Sequence, residues 1–301
     1  MQIANLVVVG VGLIGGSCAL ALRAAGAVSR VVGVGRGRAN LDDAVSRGII
    51  DVAYALGDDW TKTLADADVV LVAAPVAQYP MLFGAIAPAI GEATVVTDAG
   101  STKQGVISAA RATFGARFPH FVAGHPIAGT ERSGAAAAHA ALFDGRPVVL
   151  TPVAETAEHA TATIAALWRA CGAHVAEMKP DEHDRVYAAV SHLPHMLAFA
   201  LVAEFAARPD GATLLRHAGS GFRDFTRIAA SSPENWRDIA LANRDALQDE
   251  LRRYRNAVGE LERLLAEGDG PQLAALFERA ARTRREWGAT PANVDDDGAA
   301  C

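Results

Sequence analysis

The chain is poor in cysteine: three in 301 residues, Cys18, Cys171 and Cys301, widely spaced and odd in number. That pattern excludes a disulfide framework and offers no zinc-ligand spacing. It fits a reducing compartment, so a cytoplasmic location is expected. An excess of positive charge is also missing. Lys and Arg total 28 against 34 Asp and Glu, a net charge of −6. A nucleic-acid-binding surface needs the opposite balance, and no nucleic-acid partner is expected. No basic leader or cleavage site stands before the first apolar run, MQIANLVVVG. The longest apolar stretches, such as VVLVAAPVA at 69–77, are too short to span a bilayer, so no membrane partner is expected. No solenoid period recurs. What is present is apolar bulk, 51% of residues, and a length that suggests two domains.

The first half alternates strand-like and helix-like stretches. Val-rich runs at 3–10, 30–35, 68–74, 93–100, 120–124 and 147–151 read as strands buried on both faces of a parallel sheet. Helical patterns lie between them, for example at 14–26, 39–48 and 102–114. A last unit, helix 155–171 followed by a strand at 173–178, is expected to extend the same sheet. The alternation predicts an α/β domain with a doubly wound, Rossmann-type sheet over residues 1–179. After Lys179-Pro180 the strand signals stop. Apolar residues then recur at three and four, as in Leu247, Leu251, Tyr254, Val258, Leu261 and Leu265. An all-α domain is expected over 180–288. The Ala/Asp/Gly-rich end, 289–301, reads as a disordered tail.

The first chemical signal is VVVGVGLIGGS. Gly10, Gly12 and Gly15 stand in G-x-G-x-x-G register, after a strand and opening a helix. Gly10 allows the turn, Gly12 lets backbone approach a pyrophosphate, and Gly15 lets helix and strand pack closely. The N–H groups at the helix start, beginning with Leu13 and Ile14, face the anion. The second strand ends VGVGRGRAN, with no acidic residue for ribose hydroxyls but with Arg36 and Arg38. Guanidiniums pair a 2′-phosphate, which tilts the expectation to NADP over NAD. In open α/β sheets ligands sit beyond the C-terminal strand ends. There the chain carries Ala74-Pro75, then DAGSTK with Ser101, then GHPIAGTERSG. Pro126 pushes His125 out of the α conformation, so the imidazole is expected on a fixed, bent loop. From this stretch alone it is a structural turn histidine or a functional one; its place beside the crevice favours function.

The helical half adds two dense stretches. SHLPH (191–195) puts a proline inside a long helix predicted over 181–207, and a kink is expected where the Val190 carbonyl loses its donor. His192 and His195, three apart, share a face. No third ligand lies nearby in sequence, so the pair suits an anionic substrate better than a metal, and no metal site is expected. GSGFRDFTRIAASSPENWRDI (219–239) interleaves Arg223, Arg227 and Arg237 with Phe222, Phe225 and Trp236. That mixture is either ordinary packing of long stems or a carboxylate clamp with apolar walls.

Taken in order, GVGLIGGS, DAGSTK, GHPIAGTERSG, SHLPH, FRDFTRIA and Trp236 closely resemble the prephenate/arogenate (cyclohexadienyl) dehydrogenase family of tyrosine biosynthesis, from residue 3 to about 288. The resemblance implies oxidative decarboxylation of prephenate, or of arogenate, with hydride transfer to NAD(P)+. It implies a homodimer joined through the helical domain, with a small dicarboxylate as substrate. It makes His125 the catalytic base, with the Ser101 hydroxyl bonded near it, and puts Thr130, His192, His195 and Arg227 around the substrate, Arg227 on a carboxylate. With the first strand at residue 3 and few residues after 288, neither a fused mutase segment nor a regulatory domain is expected. Two other readings stay open on the residues: a β-hydroxyacid dehydrogenase of similar layout, which would use a lysine base, and a non-catalytic NAD(P)-binding regulator, which would not need His125, Ser101 and Arg227 together.

Overall fold

The structure is a computed structural model that describes residues 2–129 and 132–289. Its first elements alternate: β1 (Ile3–Val9), α1 (Leu13–Ala24), β2 (Val28–Gly35), α2 (Arg38–Ser46), β3 (Val52–Ala55), β4 (Val69–Val72), α3 (Tyr79–Ile86), β5 (Val95–Asp98), α4 (Gln104–Phe114) and β6 (Phe121–Val122). These six strands form one parallel sheet in the order β3-β2-β1-β4-β5-β6. The order reverses between β1 and β4, which opens a crevice at their C-terminal ends. Each strand feeds two cores because successive side chains point to opposite faces. Leu6 and Val8 of β1 join one apolar cluster with α1 and the later helix at 158–170; Val7 and Val9 join another with α3 and α4.

The strand expected at 120–124 is divided. β6 closes the large sheet, and β7 (Gly124–Pro126) starts a second sheet with β8 (Pro147–Leu150) and β9 (His174–Glu177), separated from β8 by α5 (Glu158–Ala170). β7 runs antiparallel to β8, and β8 parallel to β9. The strand near 173–178 therefore does not extend the parallel sheet, and His125 is not on a loop: it pairs with Val149 in β7. Pro126 is compatible with this because the residue before a proline prefers extended backbone. The pairing partner lies 24 residues on and is invisible to local pattern. β3 and α3 were not anticipated; both are short, and β3 is a half-buried edge strand.

Helices follow: α6 (Pro180–Tyr187), α7 (Leu193–Ala207), α8 (Gly211–Arg216), α9 (Ser220–Thr226), α10 (Pro233–Ala242), α11 (Arg244–Glu267) and α12 (Gly270–Ala289). Pro180 opens α6 with Asp181 and Glu182 in its first turn, where a missing N–H costs nothing and negative charge meets the helix dipole. Between α6 and α7, residues 188–192 form a π-helical turn in which the Leu193 N–H bonds the Ala188 carbonyl, five residues back. Pro194 then sits in the first turn of α7. This wider turn falls where the kink was expected and restarts the ladder just where proline lacks a donor. The helical run 180–207 is long and apolar enough, at mean hydropathy 1.5, to cross a membrane by length and composition, a property no single apolar stretch of the sequence revealed. Its first turns, however, carry His183 and Asp184, which are buried against the α/β elements.

By packing, the chain falls into two compact units, one ending at Arg244 and one beginning at Asp245. The first holds both sheets and the helices through α10. The second holds the remainder of α11 and α12, and along α11 Leu251, Tyr254, Val258 and Leu265 are exposed. Ala289 is helical; the rest of the expected tail, 290–301, lies outside the described residues.

Candidate active site

The glycine loop after β1 has a different requirement at each position. Gly10 has φ +106°, and a Cβ there would stand 2.4 Å from the Ala73 carbonyl oxygen at the end of β4. A Cβ on Gly15 would stand 2.3 Å from the Gly10 carbonyl. Both are glycine because the protein's own backbone fills the space. At Gly12 a Cβ would meet nothing within 4 Å and φ is an ordinary −113°. Nothing in the protein demands glycine there, as expected if the space belongs to a ligand. Gly12 caps α1, so the first N–H groups, those of Leu13, Ile14 and Gly15, have no partner within the helix. A dinucleotide fits this cradle. Ala74 and Pro75 follow β4, both half-buried, and the Ala74 backbone nitrogen stands against Gly10. At the tip of β2, Arg36 is exposed, and Arg38 lies 3.6 Å from Asp58 in an ion pair. Of the two guanidiniums expected for a 2′-phosphate, Arg38 thus already has a carboxylate partner.

The catalytic candidate is tied to this crevice by a buried cluster. Asp98 ends β5 and pairs with Lys103 at 2.6 Å, both side chains wholly out of water. Asp98 also accepts the Gly100 and Gly124 N–H groups at 2.7 and 3.1 Å, while Lys103 Nζ donates to the Gly124 carbonyl at 2.5 Å. The residue before His125 is thus clamped, by both its backbone groups, to the C-terminal end of β5. Burial pushes the Asp98 carboxyl up and the Lys103 amine down, each opposed by the charge of the other.

His125 is 8% exposed. Its Nδ1 lies 2.9 Å from Nε2 of His183 on α6, and His183 Nδ1 lies 2.8 Å from Asp184 Oδ1. Tyr187 stands edge-on to His125, centroids 4.9 Å apart. Burial, then the neighbouring His183, Lys103 and His192, hold the His125 imidazole well below its ordinary proton affinity, so it is neutral at pH 7. Burial would raise the Asp184 carboxyl, but the His183 bond and the Gln104 and Lys103 N–H groups outweigh it and keep it ionised.

The helical candidates form a second group. Asn243 donates to the Asp184 carbonyl at 2.7 Å and lies 3.1 Å from His192 Nδ1. His192 Nε2 is buried, turned to the Ser101 backbone without a well-formed hydrogen bond. Burial brings the His192 pKa down to about 4. His195 bonds the Ser191 carbonyl through Nδ1 and stacks on Trp236, centroids 3.5 Å apart. Burial and, less strongly, the Arg227 charge lower its proton affinity, which places the guanidinium near this ring. Ser101, half-buried between β5 and α4, is therefore brought to His192; among the described residues no hydrogen bond joins it to His125. Nor does any described contact join Arg227 to His125. Thr130 lies outside the described residues.

Sequence reasoning assigned no role to Asp98, Lys103, His183, Asp184 or Asn243. DAGSTK and DEHD contain the first four, but 58 residues separate His183 from His125, and only the fold joins them.

Comparison with known proteins agrees with this layout. The family described as "Prephenate dehydrogenase, nucleotide-binding domain" matches residues 18–177, and "Prephenate dehydrogenase, dimerization domain" matches residues 179–279. Prephenate dehydrogenase of Bacillus subtilis is 35% identical over 97% of this chain and 79% of its own length. Cyclohexadienyl dehydrogenase of Zymomonas mobilis is 33% identical over 93% of this chain and 94% of its own. Among solved structures, Aquifex aeolicus prephenate dehydrogenase in complex with hydroxyphenyl propionate and NAD+ superposes with a TM-score of 0.88 at 32% identity, covering 95% of this chain and 99% of that one. Synechocystis arogenate dehydrogenase superposes with a TM-score of 0.77 at 30% identity, covering 94% and 99%. With a two-part family match along almost its whole length and a dinucleotide cradle beside a clamped histidine, the chain belongs to the prephenate dehydrogenase family of nicotinamide-dependent oxidoreductases.

Proposed function

We propose that this chain catalyses oxidative decarboxylation of prephenate in tyrosine biosynthesis, with His125 as the base. The observation that carries the reading is the double clamp on Gly124, which sets the neutral His125 imidazole at the strand-end crevice opened by the glycine loop. The substrate is a cyclohexadiene with a C4 hydroxyl, a ring carboxylate and a side-chain carboxylate. A nicotinamide dinucleotide, when bound, supplies the acceptor for hydride from C4. As that hydrogen leaves, His125 Nε2 takes the hydroxyl proton and a carbonyl forms at C4. The ring–carboxylate bond then breaks, its electrons enter the ring, and CO2 departs. The oxygen recovers the proton from Nε2 as the ring becomes a phenol, so no net proton is released. Base help of this kind contributes about 10²–10⁴ in rate.

Arg227 is assigned to a substrate carboxylate, His192 and His195 to the pocket wall as neutral rings, and Ser101 and Thr130 to the substrate's polar groups. Leu13, Ile14 and the three glycines hold the pyrophosphate, between the glycine loop and Ala74-Pro75. NADP is preferred over NAD through Arg36, since β2 itself ends without an acidic residue to bond ribose hydroxyls. The protein is a cytoplasmic homodimer, its exposed apolar side chains on α11 being the surface a second chain covers.

The test is a two-by-two assay of prephenate and arogenate with NAD+ and NADP+, followed at the reduced nicotinamide absorbance. Turnover of prephenate is expected, and a His125→Asn variant should lose at least about 100-fold in kcat. No turnover in any of the four combinations, or full activity in the variant, would overturn the assignment.

A further inference from the structure

One imidazole suffices to take a hydroxyl proton, yet His125 ends a chain of three buried groups. Its Nδ1 meets His183 Nε2 at 2.9 Å, and His183 Nδ1 meets Asp184 Oδ1 at 2.8 Å. The carboxylate is itself fixed, by the Lys103 N–H at 2.7 Å and the Gln104 N–H at 2.9 Å at the start of α4. His183 and Asp184 are exposed by 2% or less. The Tyr187 ring lies against both imidazoles, 4.9 and 4.6 Å between centroids, and limits their rotation.

The order of the hydrogens along this chain follows from what each group can do. An ionised carboxylate only accepts, so the proton of neutral His183 sits on Nδ1. Its Nε2 is then an acceptor, and the shared hydrogen of the next bond belongs to His125 Nδ1. That leaves His125 Nε2 as a bare nitrogen, the atom a proton-accepting imidazole needs. The surroundings otherwise oppose an imidazolium: positive charge on His183, Lys103 or His192 disfavours it, and Asp98 is already paired with Lys103, so His183 supports it only as the neutral acceptor that Asp184 orients.

We infer that His183 and Asp184 are positioning residues for His125: together they fix its base-competent tautomer and stabilise the imidazolium formed when it takes the substrate proton. The inference rests on His125 being the base. During the step the substrate O–H bond breaks and the Nε2–H bond forms. The Nδ1 hydrogen stays on His125, and its bond to His183 strengthens because the Asp184 carboxylate polarises that ring. When the product oxygen recovers its proton from Nε2, the chain returns to its starting state.

Two variants test this. His183→Gln can still donate to Asp184 and accept from His125, but its amide is a weaker acceptor than a carboxylate-polarised imidazole. His183→Leu can do neither. We expect kcat to fall about tenfold in the first and about 100-fold in the second, with KM for both substrates within about twofold. The acidic limb of the kcat/KM profile should move to lower pH, further in His183→Leu. Nitrogen-15 spectra of the imidazoles should show His125 protonated at Nδ1 in the parent and a mixture of tautomers in His183→Leu, a readout independent of turnover. A parent protonated at Nε2, or an unmoved acidic limb in both variants, would overturn the inference. So would equal kcat losses in the two. His125→Asn, assayed alongside, separates the two claims. If it stays active, the base assignment fails. If it is dead while the His183 variants match the parent, only the role of the chain fails.

Discussion

Lys103 and Asp98 form an ion pair at 2.6 Å with neither side chain reaching water. The pair does more than neutralise itself, because it holds both backbone groups of Gly124 and through them the strand that carries His125. Removing one partner leaves a buried charge uncompensated, which costs about 3–5 kcal/mol. Lys103→Met should lower the unfolding free energy by that amount in urea denaturation. A loss below about 1 kcal/mol would mean the site tolerates a bare buried carboxylate, contrary to the geometry.

The glycine loop separates fold from binding. Gly15→Ala would press a methyl against the Gly10 carbonyl and should destabilise the chain markedly. Gly12→Ala enters open space at an ordinary φ and should leave stability within about 0.5 kcal/mol of the parent. The same methyl would occupy the space where backbone approaches the pyrophosphate, so cofactor affinity should drop by about tenfold or more. Thermal melting paired with cofactor titration distinguishes these outcomes.

Acid should unfold the protein through its buried histidines. The pKa of His192 falls from about 6.5 in an unfolded chain to about 4 in the folded one. Between those values the unfolded chain binds a proton that the folded chain refuses, so stability is full above pH 6.5 and is lost as pH falls toward 4. The difference amounts to about 3 kcal/mol for this residue. His125, His183 and His195 shift in the same direction and add to it. A melting temperature unchanged between pH 7 and 5 would contradict this, and His192→Gln should flatten the dependence.

Cofactor choice should respond to one side chain. Arg38 is paired with Asp58, whereas Arg36 makes no ion pair among the described residues. Arg36→Asp should therefore reduce kcat/KM with NADP+ by about tenfold or more, the worth of one charge-assisted contact, while NAD+ is affected less or improves. An unchanged ratio between the cofactors would remove Arg36 from the 2′-phosphate site.

Sequence and structure divide the protein unevenly. The glycine register, the alternation of Val-rich strands with helices and the isolated GHP and SHLPH stretches are local patterns, and each was readable because propensity and periodicity act over a few residues. The strand at 124–126 was not readable, since its partner at 147–150 supplies the hydrogen bonds that define it. Lys103 could be seen in DAGSTK but not understood: a lysine is expected in water, and only the fold puts Asp98 and the Gly124 carbonyl around it.

By itself, then, the sequence determined most of the alternating strands and helices, the glycine register after the first strand and which histidine stands out, because those depend on short-range sterics and hydrophobic periodicity. Tertiary structure alone decided that His125 backs onto His183 and Asp184, and that a buried ion pair holds its strand in place. Those relationships join side chains from separate elements, and their energies exist only once folding has excluded water from between them.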